Sequence, residues 1–469
     1  MARVGGSAGI PVAALVALLG AAAPAAAQGD DRCLTADPPP VTTPAQPLRF
    51  GITPQAAGSA GAAQAQVAPI DEDAAAAALR ELKPRGKPLV MRLNRLFWAD
   101  GDEGIARFAA LADRYAAQGF RVESQVRYHP PEGSAGDIPA WERYVRKAVR
   151  ELGRRPSVVA FSITNEANLP ASPNTSDGAY EGVVDALVRG VVVAREELDS
   201  IGRTDVDVGF TLMWRWSPES DAKFWDDIAG RATPEFRAAV DYVGLQIYPG
   251  LVWPPAPRPG VSAGDEVLEA LTLLRHCYMP IASLGEGVDV WVSENGYATN
   301  LGRTEADQTA ALDSTVRAIH AYSGELGISD YRYFNLRDNN SSGTDLFAAV
   351  GLLRDDYSRK PAFGSYRDLV GAFGVPEAGR VVPRVVVRRR GARVAGRVVL
   401  PRGVPPAACS GVVTVRFLGS ARRSTAVGRG CSYAVRLPRG RRVARVVARF
   451  GGNFWLRPVR RVLRSVGSH

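Results

Sequence analysis

The sequence predicts a (β/α)8 barrel, an α/β fold, followed by a small all-β sandwich of the immunoglobulin-like kind. Short apolar, β-branched runs recur eight times between residues 48 and 337, with helical periodicity between them. Beyond Phe373 the helical stretches stop, and strand-like runs broken by Gly and Pro follow one another about every ten residues. Charge divides the chain at the same place. From Ala378 to His469 there are 22 arginines, no lysine and no acid, whereas residues 1–377 hold 36 basic against 48 acidic residues. Regions of opposite sign point to two domains with different surroundings.

In chain order, residues 1–27 have the layout of a secretory signal peptide. Arg3 precedes an apolar run from Ile10 to Leu19, and AAAPAAA ends at Ala27 ahead of Gln28. The run is too short to span a bilayer, and no other segment reaches the roughly 18 apolar residues a span needs. Cys33 lies six residues beyond Ala27, too far from the cut for a lipoprotein anchor. The mature protein is therefore expected to be secreted, extracellular or cell-surface associated, and disulfides are permitted. Cys409 and Cys431, 22 apart in one β-rich segment, are expected to pair. Whether Cys33 meets Cys277 stays open.

Residues 28–47, rich in Pro, Thr, Ala and Asp, read as a linker or extended lead-in. The barrel is expected over 48–373. Its strands are LRFGIT (48–53), PLVMRL (88–93), FRVESQV (120–126), SVVAFSIT (157–164), VDVGFTL (206–212), DYVGLQIY (241–248), DVWVS (289–293) and YRYFNLR (331–337). Helical stretches such as 104–119 and 141–153 separate them, the second closed by a Gly stop and a later one opened by an N-cap at Thr304. Strand and helix alternating eight times imply a parallel sheet. A doubly wound open sheet is the rival, but GITPQAAG after the first strand is not its GxGxxG turn. Over 380–469, runs such as VVPRVVVRRR, GVVTVRFLG and CSYAVRL read as the sandwich.

In such a barrel the chemistry gathers at the C-terminal ends of the strands. Strand four ends SITNEAN, with Asn165 and Glu166; strand seven ends VSENG, with Glu294. Both carboxylates point into one bowl. Cleaving a glycosidic bond takes two such groups, one to protonate the leaving oxygen and one to attack or to activate water.

SITNEAN and WVSENGYAT, with the closing VGLLRDDYSRKPAFGSYRDL (350–369), resemble the clan of retaining glycoside hydrolases on (β/α)8 barrels that includes families 5, 39 and 53. The resemblance implies Glu166 as acid/base and Glu294 as nucleophile. It also implies Asn165 on the sugar 2-hydroxyl, Arg92 beside the nucleophile, and Tyr248 hydrogen-bonded to it. Two departures stand out. Ala167 follows Glu166 where many members carry Pro, and the last strand offers no Trp, leaving Tyr333 with Asn335 and Arg337 nearby. Trp98, Trp214, Trp216 and Trp253 fall on the active face, where rings stack on sugars.

No cofactor or metal is implied, since only four histidines occur and no HxH, HExxH, GxSxG or P-loop pattern appears. The expected function is a secreted retaining glycosidase acting on β-linked poly- or oligosaccharide. The alternative is an inactive carbohydrate-binding or cell-surface adhesion barrel. The arginine-rich end is expected to hold the protein on an anionic cell-envelope polymer or acidic polysaccharide, with the acidic barrel facing away or partly docked against it. Export argues against nucleic acid as a partner.

Overall fold

The computed structural model describes residues 32–54, 67–170, 175–203, 205–215, 217–252, 254, 256–376, 382–390, 393–401, 409, 411–417, 421–437, 445–452 and 456–464. The expected signal peptide, Trp216 and Trp253 lie outside the described residues.

Eight parallel strands close in sequence order: β1 (Arg49–Ile52), β2 (Val90–Phe97), β3 (Arg121–Arg127), β4 (Val158–Ile163), β5 (Asp207–Trp214), β6 (Tyr242–Ile247), β7 (Asp289–Asn295) and β8 (Ile328–Tyr333). β8 returns onto β1, pairing Arg49 with Asp330 and Ile52 with Tyr333. Around them lie α1 (Glu72–Leu82), α2 (Gly101–Ala117), α3 (Ile138–Gly153), α4 (Val183–Ser200) and α5 (Pro218–Arg231). α6 (Pro234–Ala239), α7 (Ala263–Leu273), α8 (Glu305–Tyr322) and α9 (Pro361–Phe373) complete the layer. Thr304 caps α8 as its sequence indicates: its Oγ1 accepts from Asp307 N at 3.1 Å, and Asp307 Oδ2 accepts from Thr304 N at 2.9 Å.

The last strand ends earlier than YRYFNLR suggests. After Tyr333 the chain turns across the barrel mouth, with Phe334 N donating to Asn295 O and Leu336 N to Thr53 O. The apolar alternation runs on past the point where ladder partners exist.

The lower barrel is filled by ions and rings. Arg332 lies between Glu123 (2.8 Å) and Asp330 (2.7 Å), all buried. Gly51 makes room for it, since a Cβ there would lie 2.5 Å from Arg332 Cδ and from Val90 O. Tyr242 stacks on Trp291 with centroids 3.4 Å apart, and the guanidinium groups of Arg49 and Arg332 lie over the Trp291 ring.

Residues 32–47 carry no helix or strand, yet they are fixed along the helix layer. Cys33 is disulfide-bonded to Cys277, 244 residues away. Arg32 pairs with Asp226 at 2.7 Å, and the backbone N–H groups of Thr42 and Thr43 donate to Glu325.

The second domain is a sandwich of antiparallel sheets. Its strands are β9 (Arg384–Arg390), β10 (Arg393–Val399), β11 (Val412–Phe417), β12 (Ala421–Ala426), β13 (Ser432–Arg436), β14 (Arg445–Phe450) and β15 (Val459–Arg464). They form the orders β13-β10-β9 and β12-β11-β14-β15 around Val394, Val398, Val413, Val415, Phe417 and Phe450. Cys409 is bonded to Cys431, a closure worth about 3 kcal/mol in the chain-entropy model.

The four-stranded sheet docks on the barrel end opposite the strand tips. Asp207 opens β5 and Asp241 precedes β6. Arg416 and Arg449 pair with Asp241, Arg449 also with Asp207, and Arg460 with Asp199 at 2.7 Å. Arg195 of the barrel joins them on Asp241. Burial alone would push the Asp241 carboxyl up, but Arg195, Arg416 and Arg449 hold it far below the usual carboxylate range.

Candidate active site

At the end of β4, Thr164 (φ 64°) and Glu166 (φ 46°) both occupy left-handed backbone, with Asn165 between them. Each such residue costs on the order of 1 kcal/mol or more. Asp177 offsets this as a clamp. Its Oδ2 accepts from the backbone N–H groups of Asn165 and Tyr128, both at 2.8 Å. Its Oδ1 takes Arg127 Nε at 3.0 Å and Nη2 at 2.9 Å. The chain is thereby bent so that Asn165 and Glu166 turn into the barrel mouth.

Glu294 arrives from β7 and meets two donors. Arg92, fully buried on β2, pairs with its Oε1, and the Tyr248 hydroxyl donates to its Oε2 at 2.6 Å. Arg92 is oriented in turn by Gln125 Oε1 at 3.1 Å. Burial first, then the charge of Glu294, pushes the Tyr248 hydroxyl well above its ordinary range, so it remains a donor. Glu294 thus presents as a carboxylate with both oxygens engaged.

Gln246 joins the two acids. Its side-chain amide stands 2.5 Å from Glu166 Oε1 at one end and 3.1 Å from Thr211 Oγ1 and 3.2 Å from Arg92 Nη2 at the other. Arg92 can only donate, so the amide oxygen belongs on its side and the NH2 group donates to Glu166. Burial first and the Glu294 charge second push Glu166 up to about 8.

Of the residues singled out from the sequence, Glu166, Glu294, Asn165, Arg92 and Tyr248 come together here. Three do not serve as expected. Trp98 is buried against Tyr128 and Trp141, in the packing between strands and helices. Trp214 is buried edge-on to Tyr278, with the Arg215 guanidinium 4.5 Å above its ring. Tyr333 is 1% exposed, its hydroxyl donates to Val350 O, and its ring packs on Tyr366 of α9. Strand parity explains this: Arg332 points into the barrel, so Tyr331 and Tyr333 face the helices. The ring that replaces it beside the site is Phe334, which packs edge-on to Tyr248 together with Phe347.

Sequence reasoning passed over Gln246, Gln125 and the Arg127–Asp177 clamp. Gln246 carried a usable signal, since it stands two residues before Tyr248 and shares its face of β6. Asp177 carried none, lying in a loop that only the fold brings back to β4.

No family model matches the chain, and no curated protein matches it. Solved structures do. GH5_18 from Streptomyces cattleya in complex with GlcNAc is 14% identical, over 70% of this chain and 81% of that one, with a TM-score of 0.48. A fungal β-1,4-galactanase is 16% identical, over 68% and 99%, with a TM-score of 0.47. A family 39 glycoside hydrolase from Bacteroides cellulosilyticus WH2 is 12% identical, over 84% and 81%, with a TM-score of 0.46. The barrel itself rests on its own strand pairing.

Proposed function

We propose that this protein is an exported retaining glycoside hydrolase that cleaves β-glycosidic bonds of a poly- or oligosaccharide by double displacement. The observation that carries this is the opposite dress of the two acids. Glu294 has both oxygens held, by Arg92 and by Tyr248, while burial and the neighbouring Glu294 charge favour the protonated form of Glu166. In the first step Glu294 attacks the anomeric carbon as Glu166 gives its proton to the leaving oxygen. The product is a glycosyl ester on Glu294 and a free alcohol. In the second, Glu166, now a carboxylate, takes a proton from water; the water oxygen attacks the anomeric carbon and Glu294 departs.

An inactive carbohydrate-binding barrel would have no need of a protonated acid opposite a doubly bonded carboxylate. Turnover on a panel of aryl β-glycosides separates the two readings: release of the aryl alcohol supports the enzyme, and its absence across the panel supports the binding module. Export is supported by the leader-like residues 1–27 and by two disulfides. No described helix is long and apolar enough to cross a membrane. The arginine-rich sandwich is read as the element that holds the enzyme on an anionic polymer.

A further inference from the structure

Docking on the barrel uses Arg416, Arg422, Arg449 and Arg460, all from the four-stranded sheet. The other sheet keeps its arginines. On β9, β10 and β13 the residues Val385, Val387, Val394, Val398, Tyr433 and Val435 are buried. The opposite face therefore presents Arg384, Arg388, Arg393, Arg397 and Arg436, all exposed.

Their register is regular. Arg384 lies opposite Val399, Arg397 opposite Val386, Arg388 opposite Ala395, and Arg393 opposite Arg436. These are four successive rungs of one face, about 6.8 Å apart along the strands. A guanidinium stands on every rung over about 20 Å, and the sandwich segment has no acid of its own to neutralise it. Such a row repels itself unless a matching line of negative charge lies against it.

We propose that this face binds a linear carboxylated polysaccharide lying along the strands, its carboxylates paired one by one with the arginine row. The choice of a glycan rests on the glycosidase reading of the barrel; the location of the face does not. Between the arginines stand Val386, Ala395, Val399, Ser432 and Ala434, so no aromatic platform for nucleobases exists among the described residues of this face. Nor does a flat sheet face offer an element to enter a duplex groove. The guanidinium fork matches carboxylate geometry, and exposed pairs of this kind respond steeply to salt.

The test uses the full chain and two charge-matched variants: Arg388→Gln/Arg393→Gln on this face, and Arg423→Gln/Arg461→Gln on exposed positions of the other sheet. Binding to polygalacturonate is measured by co-sedimentation from low to high salt, with a neutral glucan and single-stranded DNA as comparison polymers. The face variant is expected to bind polygalacturonate about fivefold or more weakly, with a log–log salt slope lower by about two, while the other variant stays within about twofold. Equal losses in both variants, no binding of the unaltered chain, or preference for DNA overturns the proposal. Turnover of an aryl β-glycoside by the same preparations reports on the catalytic reading separately.

Discussion

The Gln246 side-chain amide bridges Glu166 and Arg92, 2.5 Å from Glu166 Oε1 and 3.2 Å from Arg92 Nη2. The contact makes Gln246 a positioning residue for the acid. Gln246→Met keeps the volume and removes an N–H donor that favours the charged form of Glu166, worth about 1.5 kcal/mol. The basic limb of kcat/KM on an aryl β-glycoside should move to higher pH by about one unit. A limb that does not move would show that Gln246 leaves the acid untouched.

The acid itself sets that limb. With Glu166 raised to about 8, activity should fall as pH rises through that value, because the proton needed by the leaving group is lost. In Glu166→Ala the basic limb should vanish when the leaving group needs no proton. Its survival would place the acid elsewhere.

The same shift has a stability side. A carboxyl raised in the folded state binds its proton more tightly there than in the unfolded chain. Folding is therefore weakened as pH climbs from about 4.5 to about 8. Glu166→Gln should melt at the same temperature as the parent at pH 4.5 and at a higher one at pH 8.5. Equal melting at both pH values would contradict the buried, protonated acid.

At the far end of the barrel, Asp241→Ala should cost about 3 kcal/mol or more, since it leaves Arg195 and Arg416 buried without their main partner and takes one of two partners from the half-buried Arg449. The carboxyl is held low, so its contribution is present above about pH 4 and is lost only in stronger acid. Denaturant titration at pH 7 checks the size of the effect. Aryl-glycoside turnover at 25 °C should be unchanged, because the pair lies opposite the strand tips. A chain ended near Glu377 should likewise be less stable than the full protein, since Asp207 and Asp241 lose their sandwich partners.

Tyr248→Phe removes the hydrogen bond to Glu294 Oε2. One bond to a charged group is worth about 1.5–3 kcal/mol, so kcat/KM should fall roughly ten- to hundredfold with no change of fold by circular dichroism. A loss under twofold would remove Tyr248 from the site.

The eight strands were legible because each is an apolar run short enough to be a strand and evenly spaced from the next. Glu166 and Glu294 were legible because each stands within two residues of the end of such a run. The lining of the barrel was less so. Glu123, Gln246 and Arg332 sit inside strands whose charges read as surface positions, and only closure of the sheet turns them inward. Tyr333 was misjudged by one step of strand parity, and Trp98 and Trp214 by taking nearness to the active face for exposure to it. The Cys33–Cys277 bond and the Arg416–Asp241 pair join segments far apart in sequence, and neither carries a local pattern. The opposite charges of the two domains hinted at docking without saying which arginines take part.

The central claim is that Glu294 becomes covalently bound to the sugar while Glu166 supplies the proton. Intact-mass and peptide mass spectrometry after incubation with an activated 2-fluoro-glycoside, chosen from the sugar that the aryl-glycoside panel shows to be turned over, tests it most directly. One glycosyl unit per chain is expected on the peptide carrying Glu294, and none in Glu294→Gln. Label on another residue, or steady turnover with no label, would contradict it.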